Sequence, residues 1–272
     1  VRSRGLGDVY KRQSMSGKNI EAIYPLSPMQ EGMLFHTLYA PASGVYFEQL
    51  SCALAGALDL ALFQQAWQHI IDRHPALRTL FVWRNRDKPL QVVRQQVTLP
   101  WAHYDWRDMA SDEQERRLAA LLVEDRARGF ELMHAPLMRC TVIQMDKALH
   151  QFVWSFHHLL LDGWSVSQVL QEAFTIYEAL CHRHPLSLEP TRPYRDYVVW
   201  LQNQDTAKAK TFWRQALNNF VTPTPLGGRP VKGQEIYLTN QEHDQAKFRI
   251  RLDLKTTTAL HSVAKQCRLT LN

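Results

Sequence analysis

In Phe152-Val153-Trp154-Ser155-Phe156-His157-His158-Leu159-Leu160-Leu161-Asp162-Gly163-Trp164-Ser165, a short apolar run gives way to a helical pattern across one Asp-Gly step. The first five residues are apolar or small and rich in strand formers, which predicts a buried strand. Asp162-Gly163 breaks the run. His157 and His158 therefore stand where a strand ends. Neighbouring strand residues point to opposite faces, so one histidine packs inward while the other projects into whatever cleft lies beyond. Ser165-Val166-Ser167-Gln168 has capping-box spacing, which predicts Ser165 as N-cap of a helix reaching about Cys181, with its positive end toward the same cleft.

Upstream, Leu137 to Met145 and Leu149 to Phe156 read as two strands joined at Asp146-Lys147. Ser27-Pro28-Met29-Gln30 predicts a capped helix to Tyr39, with His36 on its polar face. Tyr46 to Leu58 reads as a strand. Asp59 then caps a helix whose Leu62, Phe63, Ala66, Trp67, Ile70 and Ile71 form one stripe ended by Pro75. Leu77 to Trp83 and Leu90 to Val97 predict a hairpin, Trp101 to Trp106 an extended piece, and Ser111 a second capping box that opens a charged helix stopping at Gly129. Arg192 to Gln204 and Thr206 to Phe220 are helical in pattern. Beyond the Pro/Gly cluster from Pro223 to Gly233, Lys247 to Leu252 reads as a strand and Asp253 caps a further helix. Strands and helices alternating with local hairpins imply an α/β fold: layers with a mixed β-sheet flanked by helices.

The motif resembles the His-His-x-x-x-Asp-Gly signature of the acyltransferases related to chloramphenicol acetyltransferase, and more closely the condensation domains of non-ribosomal peptide synthetases. Tyr24-Pro25-Leu26-Ser27-Pro28-Met29-Gln30-Glu31-Gly32-Met33-Leu34-Phe35-His36 looks like the opening motif of those domains. Arg73-His74-Pro75-Ala76-Leu77-Arg78-Thr79-Leu80-Phe81 is similar to their second, and Tyr194-Arg195-Asp196-Tyr197-Val198-Val199-Trp200 to a fourth. Together these cover roughly residues 19 to 272.

The resemblance implies a division into a basic linker or non-native segment over 1–18, an N-terminal lobe over 19–222, an inter-lobe linker over 223–234, and the start of a truncated second lobe over 235–272. It implies amide formation between a donor acyl or peptidyl thioester and an acceptor aminoacyl thioester. Both are carried on phosphopantetheine arms, with no cofactor bound directly to this chain. Carrier-protein domains upstream and downstream and an adenylation domain are the implied partners, in secondary-metabolite synthesis of a peptide antibiotic or siderophore. His158 is the residue that the resemblance assigns to catalysis, with His157, Asp162 and Gly163 in support. The opening motif further resembles the type that joins a D-configured donor to an L-configured acceptor.

The residues themselves leave roles open. Imidazole titrates near ~6.5 and suits acid-base work without tuning. Asp162 either orients the histidine or locks the loop through backbone amides or an arginine; the family pairs it with an arginine. Gly163 reflects backbone conformation or close approach of a pantetheine arm. Free amides of the helix beginning at Trp164 or Ser165 are placed to stabilise an oxyanion. Arg73 and Arg78 either anchor a pantetheine phosphate or brace their surroundings, and Tyr194, Asp196 and Trp200 fit helix packing. Adjacent strand histidines diverge, so no metal site is expected.

Two other readings stand beside condensation: an epimerisation domain sharing the same motif, and a carrier-docking module without turnover. Nucleic acid is disfavoured despite a net charge of +6, because Arg2, Arg4, Lys11, Arg12 and Lys18 against Asp8 concentrate +4 in the first eighteen residues. No apolar run approaches the ~20 residues of a membrane span. Cys52, Cys140, Cys181 and Cys267 are scattered without a Cys-x-x-Cys pair, which fits a reducing cytoplasm.

Overall fold

The computed structural model describes residues 19–222 and 251–271. The chain divides into two units between residues 223 and 224. The expectations for 1–18 and for 223–234 lie outside the described residues, as does most of the strand expected over Lys247 to Leu252.

In the first unit the order is β1 (Ile20–Pro25), α1 (Pro28–Tyr39), β2 (Phe47–Ala55), α2 (Leu60–Arg73), a 3-10 turn (Pro75–Arg78), β3 (Thr79–Val82), β4 (Leu90–Arg94), β5 (Trp101–Asp105), α3 (Ser111–Arg128), β6 (Met138–Asp146), β7 (Leu149–His157), α4 (Gly163–His182), α5 (Tyr194–Gln202) and α6 (Thr206–Ala216). The described part of the second unit holds α7 (Leu254–Gln266), capped by Asp253. Among the described residues no helix is long and apolar enough to cross a membrane.

The strands form two sheets, an antiparallel one in the order β1-β4-β3 and a mixed one in the order β2-β7-β6-β5, whose β5–β6 pair is parallel. The mixed α/β architecture with flanking helices is the expected one. β1 was not anticipated. It is short and half exposed, and its pairing partner β4 lies some seventy residues on (Ile23 opposite Val92), so no local pattern announces it.

The core follows from the stripe on α2. Phe63, Ala66, Trp67, Ile70 and Ile71 are all fully buried. Phe63 meets Phe152 of β7 edge-on at 5.2 Å, and Trp67 lies 4.9 Å from Trp154. On the other side Phe63 contacts Tyr177 of α4 at 5.5 Å, so α2 ties sheet to helix. Each such aromatic contributes roughly 1.5–3 kcal/mol through burial. The opposite face of the sheet carries α3, held by Asp125. Its carboxylate accepts from Ser155 Oγ at 2.5 Å, Arg139 Nε at 2.5 Å and Gln49 Nε2 at 2.8 Å. Burial raises the Asp125 pKa, but the hydrogen bonds from Ser155 and Arg139 outweigh it and the net direction is downward. The capping box expected at Ser111 is absent: α3 starts after Ala110 with no side-chain cap.

Candidate functional site

β7 is paired on both edges, by β2 and β6, and delivers two histidines into different surroundings. His157 is 4% exposed. Its Nδ1 accepts from the Leu159 N–H at 3.2 Å, which places the ring proton on Nε2. Nε2 faces Thr37 Oγ1 at 3.4 Å, and that hydroxyl donates onward to the Met33 carbonyl at 2.8 Å. Burial, with neighbouring His158 adding to it, pushes the His157 pKa down to about 4. The ring is therefore a neutral brace between β7 and α1.

This has a measurable consequence. The unfolded chain takes up a proton on this histidine near pH ~6.5, whereas the folded chain does so only near 4, so stability present above pH ~6.5 is lost as pH falls through 4. We expect urea midpoints to fall over that window by an amount equivalent to at most about 3 kcal/mol, and His157→Gln to flatten that slope. An unchanged slope in the variant would assign the acid sensitivity elsewhere.

His158 faces the other way. Its backbone N–H donates to the Tyr46 carbonyl at 2.8 Å, extending the β2–β7 ladder by one residue. Its ring Nδ1 lies 2.6 Å from the Leu161 carbonyl oxygen. A carbonyl only accepts, so Nδ1 carries a proton, and in the neutral ring Nε2 keeps its lone pair. The ring stacks on Tyr46, centroids 6.3 Å apart. Tyr46 holds φ at 65°, a left-handed conformation that costs a non-glycine residue energy and here aims its ring between both histidines. Sequence reasoning missed Tyr46, because a positive φ at tyrosine has no local signature.

His158 lines a cavity of about 620 Å³ whose walls include Gln30 of α1, Ala76 after α2, Leu161, Val169 of α4 and Tyr197 of α5. Apolar side chains alternate along the wall with polar ones such as Gln30, His158 and Asp162, a composition suited to a small-molecule site.

Asp162 caps α4. Its Oδ1 accepts from the Ser165 N–H at 2.8 Å and from Ser165 Oγ at 2.7 Å, and these bonds lower its pKa. The helix therefore begins at Gly163, and the expected N-cap, Ser165, is instead the residue being capped. The Ser165 and Val166 amides are both taken up by Asp162, so an oxyanion role expected for the helix start is confined to the amides of Gly163 and Trp164. Among the described residues no arginine lies within ion-pairing distance of Asp162. The backbone does not require glycine at 163: its φ is ordinary and a Cβ there would meet nothing within 4 Å, which corrects the backbone-conformation reading. Trp164 is 86% exposed, while Ser165 lines the cavity. Removing the cap in Asp162→Ala should cost about 1 kcal/mol, read as a drop in urea midpoint; an unaltered midpoint would show that the cap contributes nothing.

The second motif contributes His74, Pro75, Ala76 and Thr79 to the cavity wall, with Arg73 and Arg78 outside the lining. Arg73 Nε and His74 Nε2 each lie 2.8 Å from Glu172 Oε2 of α4, and Arg73 also donates to the Glu189 carbonyl. Arg78 is buried. It donates to the carbonyls of Ile71 at 3.1 Å, Gln95 at 3.2 Å and Arg94, and pairs with Glu21 of β1 at 2.5 Å. Both arginines thus occupy bracing geometry. Tyr194 donates to Ser27 Oγ at 3.0 Å, joining α5 to the start of α1. Trp200 is exposed, and among the described residues Asp196 pairs only with Arg195, at 3.8 Å. His36 is an exposed residue on α1.

A family model described as the condensation domain matches residues 20–272. The chain is 42% identical over 259 residues to a linear gramicidin synthase of Brevibacillus parabrevis, covering 93% of this chain and 5% of that protein. It is 35% identical over 265 residues to a mycosubtilin synthase of Bacillus subtilis, covering 97% and 10%. The starter condensation domain of the rhizomide synthetase RzmA superposes with a TM-score of 0.67 at 20% identity, over 75% of this chain and 50% of that one. The first condensation domain of the calcium-dependent antibiotic synthetase superposes with a TM-score of 0.66 at 16% identity, over 78% and 52%. The chain thus spans a small part of its curated relatives and about half of these solved chains.

Proposed function

The chain belongs to the condensation-domain family, and we propose that it takes part in amide-bond formation between two carrier-bound thioesters in non-ribosomal peptide synthesis. The observation that carries this reading is His158, held in one tautomer with a free Nε2 on the wall of the cavity. In the proposed step the α-amine of the acceptor aminoacyl thioester attacks the donor thioester carbonyl. Nε2 accepts the proton lost by that amine as the C–N bond forms. The tetrahedral intermediate collapses, the C–S bond breaks, and the proton passes from Nε2 to the leaving pantetheine thiolate. An α-amine titrates at ~7.7 to 8, so part of it is already neutral near pH 7 and orientation by Nε2 weighs as much as basicity. Holding two tethered substrates together supplies the larger share of the rate.

In this reading residues 19–222 form the first lobe, 223–234 the passage between lobes and 235–272 the start of the second, in keeping with coverage of about half of the solved chains. His157 acts as the neutral support of the loop, and Asp162 as its cap. The partners are carrier domains on either side and an adenylation domain, in the cytoplasm. No cofactor binds this chain directly; phosphopantetheine arrives on the carriers. The Met29-Gln30-Glu31-Gly32 resemblance favours a D-configured donor and an L-configured acceptor.

The test uses the complete synthetase carrying this chain, with carriers loaded separately with donor and acceptor, and detects the dipeptidyl thioester by mass spectrometry. Product formed faster from the D-donor supports both the reaction and the subtype. Product absent, with deuterium exchange at the α-carbon of a loaded carrier, would move the assignment to epimerisation. Neither signal, with carrier binding retained, would leave a docking module.

A further inference from the structure

Resting on the reading of His158 just given, we infer that Gln30 is a positioning residue that holds the His158 loop in register through the Leu159 carbonyl, with Gln91 fixing the Gln30 amide. Gln30, Ser27 and Gln91 are all buried. Gln30 sits at the third position of α1, where its Oε1 accepts from the Ser27 N–H at 3.0 Å. An N–H can only donate, so the oxygen of the amide must face Ser27. The nitrogen must then face the opposite side, where Nε2 donates to the Leu159 carbonyl at 3.2 Å. Gln91 of β4 removes the remaining freedom. Its Nε2 donates both to the Pro25 carbonyl and to Gln30 Oε1, each at 3.0 Å, and its Oε1 faces Gln30 Nε2 at 3.4 Å. The two carboxamides form a reciprocal pair with every orientation determined.

Besides the Leu159 N–H bond to His157 Nδ1, the loop they reach is held by packing and through its carbonyls. Leu159, Leu160 and Leu161 are buried side chains on a turn closed by the Leu160 N–H to the His157 carbonyl at 3.0 Å. Among the described residues two side chains donate to its carbonyls: Gln30 to Leu159, and His158 itself to Leu161. The His158 tautomer depends on where the Leu161 carbonyl points, and that carbonyl is two residues from the one Gln30 grips. Releasing the Leu159 carbonyl frees the turn to rotate, and the bond that keeps the proton on Nδ1 is the next contact to loosen. Two buried carboxamides cost free energy unless fully paired. Position 30 faces the Leu159 carbonyl, which only a hydrogen-bond donor satisfies.

The alternative is that Gln30 merely completes the capping box of α1. Ser27→Ala separates the two. It removes the Oγ that caps the Gln30 N–H and leaves the backbone N–H that orients the Gln30 amide. The experiment is a long-range nitrogen–proton spectrum of the full 272-residue chain with 15N-labelled histidine, His158 assigned through His158→Gln. Wild type and Ser27→Ala should show His158 protonated at Nδ1 alone. Gln30→Met should show a several-fold larger population protonated at Nε2, and in the complete synthetase a loss of amide formation of up to about 10²-fold, the scale of a small misplacement of a reacting group. A wild-type tautomer in Gln30→Met, or the same change in Ser27→Ala, would overturn the assignment. A wild-type synthetase that forms no amide would refute the condensation reading instead, and the tautomer comparison would still decide the role of Gln30.

Discussion

His158→Ala should lower dipeptidyl-thioester formation by about 10²- to 10⁴-fold, the range that a well-placed general acid-base group supplies, while the chain stays folded. The expectation of a retained fold rests on how little the side chain contributes to packing. Its ring is only partly buried, its one side-chain hydrogen bond among the described residues goes to the Leu161 carbonyl, and losing such a bond costs about 1 kcal/mol. The ladder bond to Tyr46 comes from the backbone N–H and survives the substitution. The expectation of a large kinetic loss rests on Nε2. It is the nitrogen that the tautomer leaves with a lone pair, and it belongs to the histidine that lines the cavity. Single-turnover rates with preloaded carriers measure the effect without interference from carrier exchange. An unchanged yield would remove His158 from the mechanism and leave tethering alone to account for the rate.

Arg78→Met should destabilise the first unit by about 3 kcal/mol without direct loss of carrier affinity, measured as urea midpoint and as binding of a phosphopantetheine-loaded carrier. The side chain is 6% exposed and stands at the junction of three elements: the end of α2, the end of β4 and the start of β1. Methionine fills much of the same volume but satisfies none of the carbonyls of Ile71, Arg94 and Gln95, and it leaves Glu21 without its cation. Each buried acceptor left unpaired costs of the order of 1–3 kcal/mol, tempered here by the half-exposed position of Glu21. A variant with a wild-type midpoint and weakened carrier binding would instead assign Arg78 to a pantetheine phosphate.

Much of this architecture is written locally. The α2 stripe, the Ser27-Pro28 start of α1 and the Asp59 cap involve residues within one or two helical turns, so period and capping chemistry disclose them. The strand that ends at the histidines is equally legible, since a run of apolar strand formers stopped by Asp-Gly has few other readings. The same logic misplaced the caps of α3 and α4: α3 starts after Ala110 with no side-chain cap, and at α4 two candidate oxygens three residues apart, Asp162 and Ser165, compete and the backbone path selects Asp162. β1 escaped notice because its partner strand is far along the chain.

For the site, the sequence by itself determined the strand-to-helix corner and narrowed the proposed working residue to one of two histidines. Only the tertiary structure decided which of them reaches the cavity, on which nitrogen each carries its proton, that Tyr46 stands against both rings, and that Gln30 reaches the loop after them. Those outcomes turn on Thr37, Leu161, Tyr46 and Gln91. A proton's position on imidazole follows from the acceptor that meets the ring, and most of these partners arrive from more than sixty residues away, beyond the reach of any local period.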